Sequence, residues 1–595
     1  MLVAMLRWPN ISAEKHKMNI EDIKKGLIDS IKRALPDLPN DFEFKIEPPP
    51  QPEMGDLSLG CFEIAKILKK SPEKIAKNLA EKFGKKIALT DFVDRFEAIG
   101  PYFNVFLEKE IWFKAVCQEI LDKKDQFICG HSFKKKDILI EYSAPNTNKP
   151  LHLGHLRNNF LGWTMANLFS INGAKVIKVN LVNDRGIHIC KSMLAYQKWG
   201  GEKTPESEKM KGDHFVGKYY VLFSEKEKEN PELAKEAQKL LIQWEEGGTE
   251  TVALWQKMNK WAIEGLKQTY EKIGIDFDHW YFESDIYNSG KKIILKALKK
   301  GLCYKREDGA VEIDLTGYGL DKKVLLRTDG TSVYITQDIG LAELKHDQFS
   351  PDKSIYVVAS EQDYHFKVLF KILEIFGFEW VKNCYHLSYG LVFLPHGKMK
   401  SREGETADAD DIIAQMEQLA KGEILSRNQN LSPIEVSQRA EIIALGALKF
   451  FLLKFTPGQE IHFDSKASIS FEGDTGPYLQ YTYARIQSIL KKVKKRDKPP
   501  RISYSALGNR EETEILKFLF TLPETIQKSV ENYNPSYLAQ HILKLAQKFN
   551  EFYHQHPVLK AKPKLRNARL ALIQAVAEVI RKGLDLMGIE VLEEM

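Results

Sequence analysis

Glu141-Tyr142-Ser143-Ala144-Pro145-Asn146-Thr147-Asn148-Lys149-Pro150-Leu151-His152-Leu153-Gly154-His155 is the stretch whose reading decides the fold. It follows a strand-like run, Asp137 to Glu141, and leads into a helical pattern that extends from Leu151 to about Ile171. A second strand-like run, Lys175 to Val182, comes next. Strand, helix and strand in this order make a β-α-β unit of a parallel sheet. Such sheets bind ligands at the carboxyl ends of their strands, beside helix N-termini. Two histidines (His152 and His155), Gly154 and Lys149 are gathered there, and phosphate chemistry is the natural reading.

Outward from that unit, composition sets the bounds. The 595 residues are enough for about three to five domains. A hydrophobic fraction of 43% and a charged fraction of 28% are those of a soluble globular protein. No apolar run approaches the length of about 18 residues that a membrane helix needs, so no membrane partner is expected. The apolar start Met1 to Leu6 is too short for a secretion signal, which leaves a cytoplasmic location as the expectation. Cys61, Cys117, Cys129, Cys190, Cys303 and Cys384 form no Cys-x-x-Cys pair, so no zinc ribbon and no protein metal site is expected. The net charge of +6 permits nucleic-acid binding without demanding it.

The chain divides by pattern. Residues 1–17 lack periodicity and read as a possible disordered extension, with Met18 as an alternative start. Residues 18–127 read as a separate α+β domain. It opens on an amphipathic helix with Ile20, Ile23, Leu27 and Ile31 on one face, and it includes strands around a Gly100-Pro101 turn. Residues 128–398 hold the nucleotide-binding domain, whose second half has strands at Ala310–Leu315 and Ser354–Ala359. A highly charged helical insertion occupies 201–277. Residues 399–465 form a basic loop and a connecting region, and 466–595 a helical bundle.

His152-Leu153-Gly154-His155 resembles the HIGH signature of class I aminoacyl-tRNA synthetases, and the wider context Glu-x-Ser-x-Pro-Asn-x-x-Lys-Pro-x-His-x-Gly-His-Leu-Arg is similar to that of arginyl-tRNA synthetases. The resemblance implies an α/β fold: a class I Rossmann-like catalytic domain, an N-terminal α+β tRNA-binding domain and a C-terminal α-helical anticodon-binding bundle. It further implies ligation of L-arginine to tRNA(Arg) through an adenylate made from ATP, with Mg2+ on the pyrophosphate oxygens. Attack by the terminal 2′-hydroxyl and activation that waits for bound tRNA are implied by the same resemblance. A monomer is expected.

The transition state at the α-phosphorus is stabilised chiefly by position and charge. His152 and His155 lie three residues apart at a helix start, so both can face the triphosphate. Gly154 leaves room for the nucleotide, and Lys149 adds positive charge. Gly397-Lys398-Met399-Lys400-Ser401-Arg402 resembles the second signature, KMSKS, with Lys398, Met399 and Lys400 as the nucleotide contacts. Ser401 stands in the slot of the second lysine; Lys149, Lys400 and Arg402 are the candidates to replace that charge.

A guanidinium calls for carboxylates that accept in pairs. Glu141 at a strand end, Tyr334 and Asp338 four residues apart, Gln362 after a second-half strand, Asn146, and Asp184 match the family's arginine-holding positions. Tyr102, Phe103 and Asn104 are the candidates for contact with the tRNA D loop, and Tyr483 and Arg485 for the anticodon side. Lysine, also cationic, is the rival substrate, and a non-catalytic tRNA-binding paralogue is the rival class.

Overall fold

A computed structural model of the chain describes residues 20–39, 41–47, 49–84, 93–394, 408–493 and 502–595. The possible extension at 1–17 and the loop residues Lys398, Met399, Lys400, Ser401 and Arg402 lie outside them.

The N-terminal unit comprises α1 (Ile20–Ala34), β1 (Ile46–Glu47), β2 (Leu57–Gly60), α2 (Phe62–Leu68), α3 (Pro72–Gly84), β3 (Val93–Ile99) and β4 (Tyr102–Leu107). Its four strands make an antiparallel sheet in the order β1-β2-β4-β3. Alternation along β4 sends Phe103 and Val105 into the core under α3. Helix α4 (Lys109–Lys123) then leads to the catalytic unit.

That unit is built on β5 (Asp137–Glu141), α5 (Leu153–Ile171), β6 (Lys175–Val182), α6 (Ile187–Trp199), β7 (His279–Phe282), β11 (Lys353–Ala359), α13 (Asp363–Ile375) and β12 (Cys384–Tyr389). The five strands are all parallel and lie in the order β12-β11-β5-β6-β7. Counted along the chain this is 5-4-1-2-3, the doubly wound order, and the direction of winding reverses between β5 and β11. β5, central in the sheet, buries Ile138, Leu139 and Ile140. A strand covered on both faces reads as a continuous apolar run.

Between β6 and β7 the insertion forms α7 (Gly212–Glu229), α8 (Glu232–Glu245) and α9 (Thr249–Ile273), whose apolar faces make a core of their own around Phe215, Tyr219 and Trp261. Between β7 and β11 lie α10 (Glu283–Ile286), α11 (Ser289–Lys299), β8 (Tyr304–Lys305), β9 (Val311–Ile313), β10 (Lys323–Leu326) and α12 (Tyr334–Phe349). The expected strand at Ala310–Leu315 is β9. It pairs with β8 and β10 in a separate antiparallel sheet and not in the parallel one.

β13 (Val392–Phe393) pairs in parallel with β14 (Ile461–His462) across α14 (Ala409–Arg427) and α15 (Pro433–Leu453). After α16 (Ser465–Ser468), helices α17 (Gly476–Lys491), α18 (Arg510–Glu531), α19 (Ser536–Gln555) and α20 (Pro563–Leu586) form the terminal bundle. Its apolar faces join the core beneath α4 and α5, where Trp112 meets Phe520 edge to face. No helix among the described residues is long and apolar enough to cross a membrane.

Candidate active site

The segment between β5 and α5 turns sharply. Ser143 and Ala144 adopt positive φ, 82° and 49°, a conformation costly for residues with a Cβ unless neighbours enforce it. They do so with hydrogen bonds. The Ser143 N–H donates to Asn158 Oδ1 (2.6 Å), the Ala144 N–H to Asn180 Oδ1 (3.2 Å), and the Ser143 and Tyr270 hydroxyls are 2.5 Å apart. Asn158 in turn donates to the Val357 carbonyl of β11 at 2.7 Å. The turn is thus sewn, directly and through Asn158, to β6 and β11, the strands on either side of β5.

His152 caps α5. Its backbone N–H donates to Nδ1 of His155 at 3.1 Å, and the two rings are in contact, 3.8 Å apart between centroids and tilted by 42°. Burial, aided by the charge of Lys149, drives the His152 imidazole down to about 4, and burial, with His152 and Lys149 beside it, holds His155 well below the usual histidine range. Both shifts favour the neutral imidazole at pH 7. His152 Nδ1 is buried and makes no hydrogen bond with any described residue. A Cβ on Gly154 would sit 3.0 Å from Cε1 of His152, so the glycine makes room for that ring as well as for a ligand. Burial also lowers the Lys149 ammonium below the usual lysine range.

Across the sheet edge, acids converge from different elements. Asp184, after β6, is buried and accepts from the Ser284 N–H (2.9 Å) and hydroxyl (2.7 Å). Asp338 on α12 meets His365 Nε2 at 2.7 Å. Between them stands Glu283, at the carboxyl end of β7; burial, together with the charges of Asp338 and Asp184, raises its carboxyl to about 8. Sequence reading missed Glu283, although its place directly after the strand-like His279–Phe282 was a usable signal. It missed Lys345 too. Glu141 (7% exposed) accepts at Oε2 from Lys345 (2% exposed) at 2.7 Å, and the ammonium lies 4.2 Å over the Tyr356 ring. Glu141 is therefore already neutralised from one side. Asn146 is half-buried and bridges to Asn183 beside β6. Tyr334 is 66% exposed at the start of α12, and Gln362 is exposed after β11.

The nucleic-acid candidates fare unevenly. Phe103 is 0% exposed and stacks on Phe96 at 5.5 Å, and Asn104 is also 0% exposed. Both belong to packing, because alternation of this short strand is overridden by coverage of both its faces. Tyr102 is half-exposed, edge-on to the exposed Phe62 at 5.5 Å. Tyr483 is 7% exposed and is likewise corrected to a packing residue, on the inner face of α17. Arg485 is half-buried, donates to Asn550 Oδ1 and lies over the rings of Tyr481 and Tyr553.

A sheet that reverses its winding beside a capped His-x-Gly-His helix is the catalytic scaffold of the class I aminoacyl-tRNA synthetases. The fold is shared with a methionyl-tRNA synthetase of Mycobacterium tuberculosis in complex with methionyl-adenylate (TM-score 0.50, 14% identity, 76% of this chain and 91% of that one). Within the class the match is narrower. The family model for the catalytic domain of class I (R) tRNA synthetases covers residues 116–464, that for the arginyl tRNA synthetase N-terminal domain 21–107, and that for the DALR anticodon binding domain 479–595. The arginine–tRNA ligase of Treponema denticola is 46% identical over 97% of this chain and 100% of its own. The solved arginyl-tRNA synthetase of Thermus thermophilus superposes with a TM-score of 0.83 at 26% identity, covering 96% of this chain and all of that one. The chain belongs to the arginyl-tRNA synthetase family.

Proposed function

We infer that the site at the switch point carries out this family's reaction on this chain: arginine is ligated to tRNA in two steps, through an adenylate formed from ATP. The arginine carboxylate attacks the α-phosphorus and pyrophosphate leaves; a ribose hydroxyl of the tRNA, the 2′-hydroxyl on this reading, then attacks the acyl carbon and AMP leaves.

One observation carries the assignment of residues. Two histidines in ring contact, held in the neutral form by burial, one with a buried Nδ1 that has no partner among the described residues, stand across one sheet edge from three converging carboxylates. Neutral imidazoles donate to phosphate oxygens without the cost of a buried charge, and Lys149 supplies the positive field. The α5 N-terminus adds its dipole on the same side. Asp184, Glu283 and Asp338 take the guanidinium, with Tyr334, Gln362, Asn146 and the free side of Glu141 at the rim. Lys398, Met399 and Lys400 close on the nucleotide, and Mg2+ arrives with ATP, held by phosphate oxygens and water. On this reading Tyr102, with its neighbour Phe62, contacts the tRNA, and Arg485 lies on the anticodon side. A cytoplasmic monomer completes it; the buried thiols of Cys117, Cys190 and Cys303 suit a reducing compartment.

ATP–pyrophosphate exchange, run with and without total tRNA and with lysine as the control, tests the reading. Exchange with arginine and only in the presence of tRNA is the expected result. Exchange with lysine would reassign the acidic pocket, and no exchange with either amino acid would overturn the catalytic reading.

A further inference from the structure

Helix α7 of the insertion touches both sides of the nucleotide site. Near its middle a Cβ on Gly217 would lie 3.1 Å from Cδ of Pro150 and 3.6 Å from Cα of Lys149. The helix backbone therefore rests directly on the segment that carries Lys149 into His152. Near its start, His214 Nε2 is 2.9 Å from Asp410 Oδ2 and 3.6 Å from Asp408 Oδ2. Lys211 donates to the same oxygen of Asp410, to Asp213 at 3.1 Å and to the Thr269 hydroxyl of α9. Asp410 lies in the first turn of α14, the helix that follows the KMSKS-like loop. That same helix start is bonded to the first signature: the Ala409 N–H donates to the Leu151 carbonyl at 2.9 Å, and Asp408 bridges His152.

The helix itself is anchored firmly. A Cβ on Gly212 would come within 1.9 Å of the Trp261 carbonyl oxygen, and one on Gly265 within 2.4 Å of Asp213 Oδ1, so α7 and α9 are in backbone contact. Asp213, His214 and Asp410 are grouped closely enough to ligate a metal ion, but the Lys211 ammonium already lies between the two carboxylates. Burial opposes ionisation of Asp410, yet the bonds from His214 and Lys211 hold it at about 2, and His214 is drawn above the usual histidine range by the same contact.

We propose that α7 is a strut that sets the segment carrying Lys149 and His152 against the start of α14, and that Lys211 and His214 are positioning residues for adenylate formation, acting through Asp410 on the strand-like pairing of Asp408 with His152. The proposal rests on the catalytic reading given above. Its physical content is that a displacement of the histidine pair by about an ångström costs up to about 100-fold in rate.

The test compares Lys211→Met, Lys211→Arg and His214→Ala in arginine-dependent exchange, after the unaltered enzyme has shown that reaction. Lys211→Met and His214→Ala are expected to lower kcat about 10- to 100-fold, with KM for arginine and the Kd for tRNA within about twofold. Lys211→Arg, which keeps both ion pairs, is expected to recover most of the loss. Amide hydrogen exchange at 151–155 and 408–411 should quicken in Lys211→Met, a readout that stands even if the unaltered enzyme fails in the exchange assay. An unchanged kcat, equal losses in Lys211→Met and Lys211→Arg, or unaltered amide exchange would overturn the proposal. If Lys211→Met does not fold, the isosteric Asp410→Asn carries the same comparison.

Discussion

Glu283 shows how a single side chain can set pH behaviour. Its carboxyl is raised from 4.5 in the unfolded chain to about 8 in the fold, so folding favours its protonated form. Stability present below pH 4.5 is accordingly lost as the pH rises towards 8. A cationic substrate reverses that preference and expels the proton. KM for arginine should therefore fall as the pH rises from 6.5 to 8, by up to about tenfold per unit if binding releases one whole proton. Glu283→Gln should abolish that slope, and a slope retained in the variant would move the proton elsewhere. The histidines behave differently. With His152 held down to about 4 and His155 well below the usual histidine range by burial, neither is expected to change charge near neutrality. His155→Ala should slow the single-turnover adenylate step by about 10²–10³ without adding or removing a pH inflection between 6 and 8; an inflection lost in the variant would show a titrating His155. The pattern His-x-Gly-His was legible in sequence because it is local. That the rings meet and are held neutral follows from burial, which only neighbours distant in the chain supply.

At the scale of elements, one ion pair ties a helix to the central strand. Lys345 on α12 reaches Glu141 at the end of β5, 204 residues away, and both are buried. Removing one partner of such a pair strands the other charge, at a cost of about 3–5 kcal/mol. Lys345→Met should destabilise the chain by that order in urea unfolding. The double change Glu141→Gln with Lys345→Met should recover most of it, because a pair exchanged for neutral groups leaves no charge stranded. Equal destabilisation in the single and double variants would show that packing of the lysine stem, not charge, is what matters. Tyr334, Asp338 and Lys345 follow one another along a single face of α12, the periodicity that marked the first two as site residues. Lys345 lies on the same stripe, but an isolated lysine in a helix is ordinarily a surface residue. The element boundaries from Phe62 to Gly84 and in the terminal helices were readable from period alone, since each helix has one apolar face. The placement of β9 in a second sheet was not, since strand pairing is decided by partners far away in sequence.

Across the whole molecule, the last residues hold the bundle to the catalytic unit. Lys449 of α15 is buried, held down to about 8 by that burial, and donates to the Gly588 carbonyl. The Gln480 amide donates to the Glu590 carbonyl at 2.8 Å, and Lys491 pairs with Glu593 and Glu594. Deleting residues 588–595 strands the ammonium at a cost of about 1–3 kcal/mol and should lower the Tm by about 1–2 °C; an unchanged calorimetric trace would show the tail to be dispensable for that junction. By itself the sequence determined the class of fold and the family, and it located the histidine-bearing segment at a strand end, because these rest on short-range patterns: strand-helix-strand alternation, two histidines on one helical turn, an extended signature. Tertiary structure alone decided which acids meet, that Glu141 is shared with Lys345, that Phe103, Asn104 and Tyr483 are packing residues, and that an inserted helix touches both the Lys149–Pro150 segment and the start of α14. Those outcomes depend on burial and on contacts between residues tens to hundreds of positions apart, and no local period encodes them.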